Sequence, residues 1–200
     1  MGTFLLASTN AVVGGGSAPG EVITERTVLR PLTPYGATKA AGEMLLGSYA
    51  NCYGLAGTAL RFSNVYGPGM SEKDSFIPRL MRAARDGEGV QVRGDGSMLR
   101  DVVHVDDIVQ GIKLAWQARH TGPLILGAGT SVSVTDMVTT ARAVTGAPIP
   151  AENVPVPPGE MPAVVLDISA ARAIGYEPAH TLEAGMATVW PDFDPKEARA

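Results

Sequence analysis

Thr33-Pro34-Tyr35-Gly36-Ala37-Thr38-Lys39-Ala40-Ala41-Gly42-Glu43-Met44 reads as the first turns of a helix. Thr33 suits the N-cap and Pro34 the first helical position, and helix formers follow. The pattern predicts a helix running to about Tyr53, with Gly54 as its C-terminal cap. On that helix Tyr35 and Lys39 stand at i and i+4, so both side chains rise from one face. An ammonium near a phenol favours the phenolate, which makes the two a candidate acid/base pair. Taken alone, the spacing is better explained as an amphipathic surface helix carrying a tyrosine and a lysine by chance.

Upstream, Phe4-Leu5-Leu6-Ala7 has the apolar character of a short buried strand, ended by Ser8-Thr9-Asn10. Residues just past a strand's carboxyl end line the ligand crevice of open α/β sheets, which would place the Ser8 and Thr9 hydroxyls near a ligand. The plainer alternative is that they bond the turn. The glycines Gly14-Gly15-Gly16 lack a phosphate-loop spacing and read as loop. Downstream, Thr58-Ala59-Leu60-Arg61-Phe62 is the next strand, and the succession of strand, helix and strand predicts a parallel βαβ unit.

Beyond it the pattern predicts a helix from Ser75 to about Arg85 and a strand at 89–92. A strand at 100–105 and a helix capped by Asp106 and Asp107 follow. A strand at 124–126 and a helix from Val134 to Val144 come next, with Ser133 or Thr135 near its start and Gly146 at its end. The proline-rich residues 148–159 read as a separator before short helices near 168–174 and 182–190, and the tail from Pro191 as loosely held.

Two hundred residues, 45% of them hydrophobic and 18% charged, describe an ordinary globular chain with enough length for a core. A net charge of −4 argues against a nucleic-acid surface. No apolar run approaches the ~18 residues that a bilayer span needs, and Met1 to Ala7 lack a signal peptide's basic start. The single cysteine, Cys52, can form no intrachain disulfide and reads as a buried helix residue. These bounds predict a cytoplasmic protein with no membrane or nucleic-acid partner, and no metal site is expected.

Several motifs, in order along nearly the whole chain, resemble the extended short-chain dehydrogenase/reductases, specifically the NAD-dependent sugar epimerase/dehydratase branch that includes the UDP-glucose 4-epimerases. Ala7-Ser8-Thr9-Asn10-Ala11-Val12-Val13-Gly14 resembles the strand that supplies the catalytic Ser or Thr, and Pro34 to Lys39 the Tyr-x-x-x-Lys helix. Arg61-Phe62-Ser63-Asn64-Val65-Tyr66-Gly67-Pro68-Gly69 resembles the segment whose Asn contacts the sugar nucleotide. Gly94-Asp95-Gly96 through Arg100 to Asp107 resembles the stretch whose Arg grips the diphosphate, and Pro158 to Pro162 with Leu166 to Ser169 a late substrate-domain segment.

The resemblance implies a Rossmann-type α/β fold with NAD, or NADP, as cofactor and a nucleotide sugar as substrate. By it, Tyr35 exchanges a proton with a sugar hydroxyl and Lys39 holds the nicotinamide ribose. Thr9 bonds the reacting oxygen, and Phe62 packs near the nicotinamide. Asn64, Phe76, Arg93, Arg100 and Glu160 are then substrate-binding. It implies epimerisation at C4 by transient oxidation, or else a reductase of the same fold or a non-catalytic sugar-nucleotide-binding remnant. Dehydratases of the branch carry an Asp-Glu pair after the Thr; here Asn10 and Ala11 stand there, which removes the acid and base of water loss.

It also implies a glycine-rich pyrophosphate turn ahead of Phe4. None stands there, so the expectation is a C-terminal portion: an incomplete Rossmann-type parallel sheet with a smaller α/β substrate-binding lobe. Residues 1–70 would carry the catalytic part, 71–190 mostly the substrate lobe with returning sheet elements, and 191–200 a tail. A full-length form would be a homodimer.

Overall fold

The computed structural model describes residues 3–14, 21–157 and 163–194. In chain order these form β1 (Thr3–Thr9), a 3-10 turn (Asn10–Val13), α1 (Pro34–Tyr53), β2 (Ala56–Phe62), β3 (Asn64–Tyr66) and α2 (Phe76–Asp86). Then follow β4 (Val90–Arg93), β5 (Leu99–His104), α3 (Val105–Gln117), β6 (Gly122–Leu126) and β7 (Ser131–Ser133). The remainder is α4 (Val134–Thr145), β8 (Ala151–Val154), α5 (Ser169–Arg172), α6 (Leu182–Val189) and a closing turn at Trp190–Asp192.

The central sheet is parallel, in the order β1-β2-β6, as the βαβ reading predicts. Helices and loops cover β2 and β6, whose Leu60, Leu124, Ile125 and Leu126 are buried with Ile108 of α3, Val12 of the turn and Tyr176. The edge strand β1, expected to be buried, is so only at Ser8 and Thr9, and its Phe4 is half exposed. A second cluster gathers Leu80 and Met81 of α2, Met137 and Val138 of α4, Met186 of α6, and Tyr66. Beside it lie the smaller pairings, β3 parallel to β5, β5 antiparallel to β7, and β4 parallel to β8.

The helix α1 has the ends its sequence specifies. Thr33 Oγ1 accepts from Gly36 N at 3.1 Å, and Gly54 closes the helix in the left-handed region at φ 69°. Glycine at position 36 has a packing cause: a Cβ there would sit 2.6 Å from the Ala11 carbonyl oxygen. Its absence lets the helix start press against the turn that follows β1.

Elsewhere the structure corrects the sequence. The helix α3 is capped by His104, whose Nδ1 accepts from Asp106 N at 3.2 Å, and not by Asp106 or Asp107. Those two lie in the first turn because β5 runs into α3 without a loop. The proline-rich separator contains β8, an edge strand with no apolar alternation that only its pairing with β4 reveals. Cys52 is exposed, on the outer face of α1. The chain past Pro191 is held at its start, with Phe193 2% exposed and Asp192 Oδ2 accepting from Gly69 N at 2.6 Å.

A buried ion pair ties α1 to the sheet. The Arg61 and Glu43 side chains are 4% and 6% exposed, and Arg61 Nη2 lies 2.8 Å from Glu43 Oε2. Arg61 Nε donates to the same carboxylate, Ser8 Oγ donates to its Oε1, and Arg61 Nη1 donates to Glu25 O. Ser8 and Arg61 are register partners on adjacent strands, so one carboxylate on α1 gathers both. Glu43→Ala, by stranding the Arg61 charge, is expected to cost about 3–5 kcal/mol in urea unfolding, while the double change Glu43→Leu, Arg61→Met recovers most of it.

Candidate active site at the strand ends

The strands β1 and β2 end side by side, Thr9 opposite Phe62, and the start of α1 lies across the turn that follows. Past these ends opens a cavity of about 400 Å³ whose walls include Thr9, Asn10, Tyr35, Phe62, Asn64, Phe76 and Arg100. A smaller cavity of about 230 Å³ contains Arg93 and shares Ser75, Phe76, Arg100 and Met137 with the first. Lys39 is outside the lining, and Glu160 lies outside the described residues together with the whole Pro158 to Pro162 segment.

Around the cavity mouth the groups are arranged by α1 and β1. Thr9 is 9% exposed, and its Oγ1 accepts from Ala11 N at 3.2 Å, capping the turn. The hydroxyl also reaches Asn10 Oδ1 at 3.4 Å, a long contact. Tyr35 is 56% exposed, with its ring centroid 5.9 Å from Lys39 Nζ. Lys39 Nζ donates to Ala7 O at 2.9 Å, which uses one of its three hydrogens and anchors it beside the β1 end.

Opposite them, Asn64 belongs to β3, and its Nδ2 donates to Asp101 O at 3.0 Å. The Asp101 carboxylate turns inward, accepting from Ala128 N and Gly129 N at 2.9 and 3.0 Å. Burial pushes its carboxyl above the usual range, against the opposing pull of the Ser63 hydroxyl and those two amides. Arg100, next to Asp101 on β5, lines both cavities, and its Nη1 donates to Leu99 O.

The sequence reading did not single out Ser63, Lys73 or Asn10 as site residues. Lys73 Nζ donates to Val65 O at 2.9 Å from the loop that precedes α2, a position that no periodic pattern marks. Lys73 and Arg100 give this cavity two cations, and none of the described residues lining it is a carboxylate. The arrangement suits an anionic ligand whose reacting oxygen would lie near a hydroxyl and a phenol.

Comparison with known proteins supplies the family. Residues 1–127 match the model of the NAD dependent epimerase/dehydratase family, and the chain belongs to that family. It is 34% identical over 169 residues to a dTDP-L-rhamnose 4-epimerase of Burkholderia thailandensis, covering 81% of this chain and 46% of that protein. It is 34% identical over 177 residues to a UDP-glucose 4-epimerase of Corynebacterium glutamicum, covering 80% and 54%. Among solved structures, the UDP-glucose 4-epimerase of Thermus thermophilus in complex with NAD superposes with a TM-score of 0.87 at 27% identity. That match covers 96% of this chain and 64% of the other. The chain thus spans about half the length of the curated relatives it matches.

Away from the cavity, His104, Asp106 and His180 bring ligand-type atoms within 4.8 Å of one another. The two imidazoles are stacked, centroids 4.0 Å apart and planes 23° apart, so their in-plane lone pairs run in separate planes. Both His104 nitrogens are engaged, Nδ1 with Asp106 N and Nε2 with Thr188 Oγ1. His180 Nδ1 meets Asp107 Oδ1 at 3.0 Å. The trio is a cap and a packing contact.

Burial, and then the neighbouring His180, hold His104 below the ordinary histidine range, and burial does the same for His120. The folded state therefore resists a proton that the unfolded chain accepts near pH ~6.5. Their stability contribution is complete above that pH and is lost as the pH falls through it toward the folded values. The thermal midpoint is expected to fall between pH of about 7.5 and 5.5. The fall should be shallower in His104→Asn, whose side chain can still cap α3; an equal slope in the variant would contradict this account.

Proposed function

We propose that the protein is a nucleotide-sugar epimerase acting at C4 of the sugar, with Tyr35 as the acid/base. The observation that carries this reading is the meeting of Thr9, Tyr35, Asn64 and Arg100 around one cavity in a chain of this family. Relatives that are 4-epimerases of a dTDP-sugar and a UDP-sugar support the reaction class. Asn10-Ala11 after Thr9 favours epimerisation over water loss, as does the lack of a carboxylate among the described residues that line the cavity.

In this reading Arg100 and Lys73 take the diphosphate, the guanidinium through two parallel hydrogen bonds. Asn64 and Phe76 flank the nucleotide sugar, Arg93 receives the base in the adjoining cavity, and Glu160 belongs to the same substrate set. Thr9 donates to the oxygen at the reacting carbon, and Tyr35 removes or returns that oxygen's proton. Lys39 favours the ionised phenol by its charge.

The cofactor would be NAD, with NADP the alternative, and the residues present fit its nicotinamide end. Lys39 Nζ has hydrogens beyond the one given to Ala7 O, and Tyr35 and Phe62 border the same opening. When bound, the nicotinamide supplies a hydride acceptor and donor. Tyr35, Lys39 and Phe62 would hold it.

In this division residues 1–70 would be the catalytic part and 71–190 mostly the substrate lobe with returning sheet elements, of which β6 is one. A homodimer would pair the outer face of α1, where Met44, Leu45, Tyr49 and Tyr53 are exposed, with Trp116 of α3 adding apolar surface. Among the described residues no helix is long and apolar enough to cross a membrane, and the compartment we propose is the cytoplasm.

NMR observation of UDP-glucose converting to its C4 epimer in the presence of NAD tests the proposal. Tyr35→Phe is expected to lower that turnover by about a hundredfold or more while sparing binding; unchanged turnover would remove Tyr35 from the reaction. Arg100→Ala should act on affinity instead, weakening UDP-glucose binding by about tenfold to a hundredfold in calorimetry.

A further inference from the structure

Asn10 carries an unmet bond at the centre of the site. Its side chain is 6% exposed, and its Nδ2 has no hydrogen-bond partner among the described residues. The other buried orphan, His120 Nδ1, belongs to a residue outside the cavity lining. Buried polar atoms without partners are uncommon and destabilising, and each calls for an explanation.

Local structure does not supply one. The turn after β1 is capped by Thr9 Oγ1 on Ala11 N, and the only contact Asn10 offers Thr9 is the long one at 3.4 Å. Val12 and Val13, two and three residues on, are fully buried apolar groups, so an apolar side chain is accepted in this turn. What distinguishes Asn10 is its place in the wall of the cavity that Thr9, Tyr35 and Asn64 also line.

We propose that Asn10 is a substrate-binding and specificity-determining residue whose amide donates to an acceptor oxygen of the sugar. The inference rests on the nucleotide-sugar reading above. A carboxamide neither gains nor loses a proton at working pH, so its role is to bind and orient, not to transfer protons. Its neighbours Thr9 and Tyr35 assign it to the sugar, whereas Arg93 in the second cavity stands apart from it.

Calorimetric titration of the chain with UDP-glucose and with UDP tests this, beside thermal unfolding of the wild type and Asn10→Ala. Expected is a loss of about tenfold in UDP-glucose affinity, the scale of one hydrogen bond. UDP affinity should be unchanged and the unfolding midpoint no lower, because the variant removes an orphan. Equal losses for UDP and UDP-glucose, no loss for either, or a lowered midpoint would each overturn the proposal. Should the variant fail to fold, the nitrogen-15 amide pair of wild-type Asn10 gives the answer. Movement with UDP-glucose and not with UDP supports the contact, and movement with neither overturns it. A wild-type chain that binds neither compound refutes the nucleotide-sugar reading itself, a result visible before any variant is made.

Discussion

One carboxylate holds the helix α1 in place. Glu43 is two turns along α1 from Tyr35 and one from Lys39, and it takes hydrogen bonds from Arg61 on β2 and Ser8 on β1. With Lys39 reaching Ala7 O, the helix is pinned to two successive residues of β1 immediately before Thr9. A charge pair removed from water gains little net stability over an apolar substitute, but it tolerates few geometries. Here that intolerance fixes the rotation of α1 about its axis, and with it the direction in which the phenol projects.

Much of this was legible in the chain. Thr33, Pro34 and Gly54 specify both ends of α1, and the continuous apolar runs mark β2 and β6 because strands covered on both faces need no alternation. Thr9, Tyr35, Phe62, Asn64 and Arg100 stand in recognisable motifs and border one cavity. What escaped depends on partners distant in sequence. The β8 strand is Ala-Glu-Asn-Val, a polar edge whose only strand credential is β4 beside it. His104 caps α3 through a ring nitrogen, a role that Asp106 and Asp107 would fill by local preference. Cys52 looked like core because the outer face of α1 is unusually apolar, so burial could not be read from residue type there. Lys73 stands in an irregular loop, and neither spacing nor hydropathy says that it turns toward the cavity.

The sign of charge around the cavity follows from how the neighbouring acids are used. Asp101 is next to Arg100 in sequence, yet it faces the interior and caps the turn after β6. Asp107 is likewise consumed, by Ala179 N, His180 N and the His180 ring. Neither carboxylate belongs to the cavity lining, whose charged members among the described residues are Lys73 and Arg100.

The parallel pairing of the strands also sets the order in which the site can come together. A parallel pair needs a long crossover, so β1 with β2, β2 with β6, and β4 with β8 all wait on the closure of large loops. Contacts of that kind slow folding, since chain entropy is lost before the ladder compensates for it. The helix α1, 20 residues long and capped at both ends by its own sequence, is the element least dependent on distant partners. The helix itself sets Tyr35 and Lys39 on one face, whereas the ends of β1 and β2 beside them depend on those long crossovers.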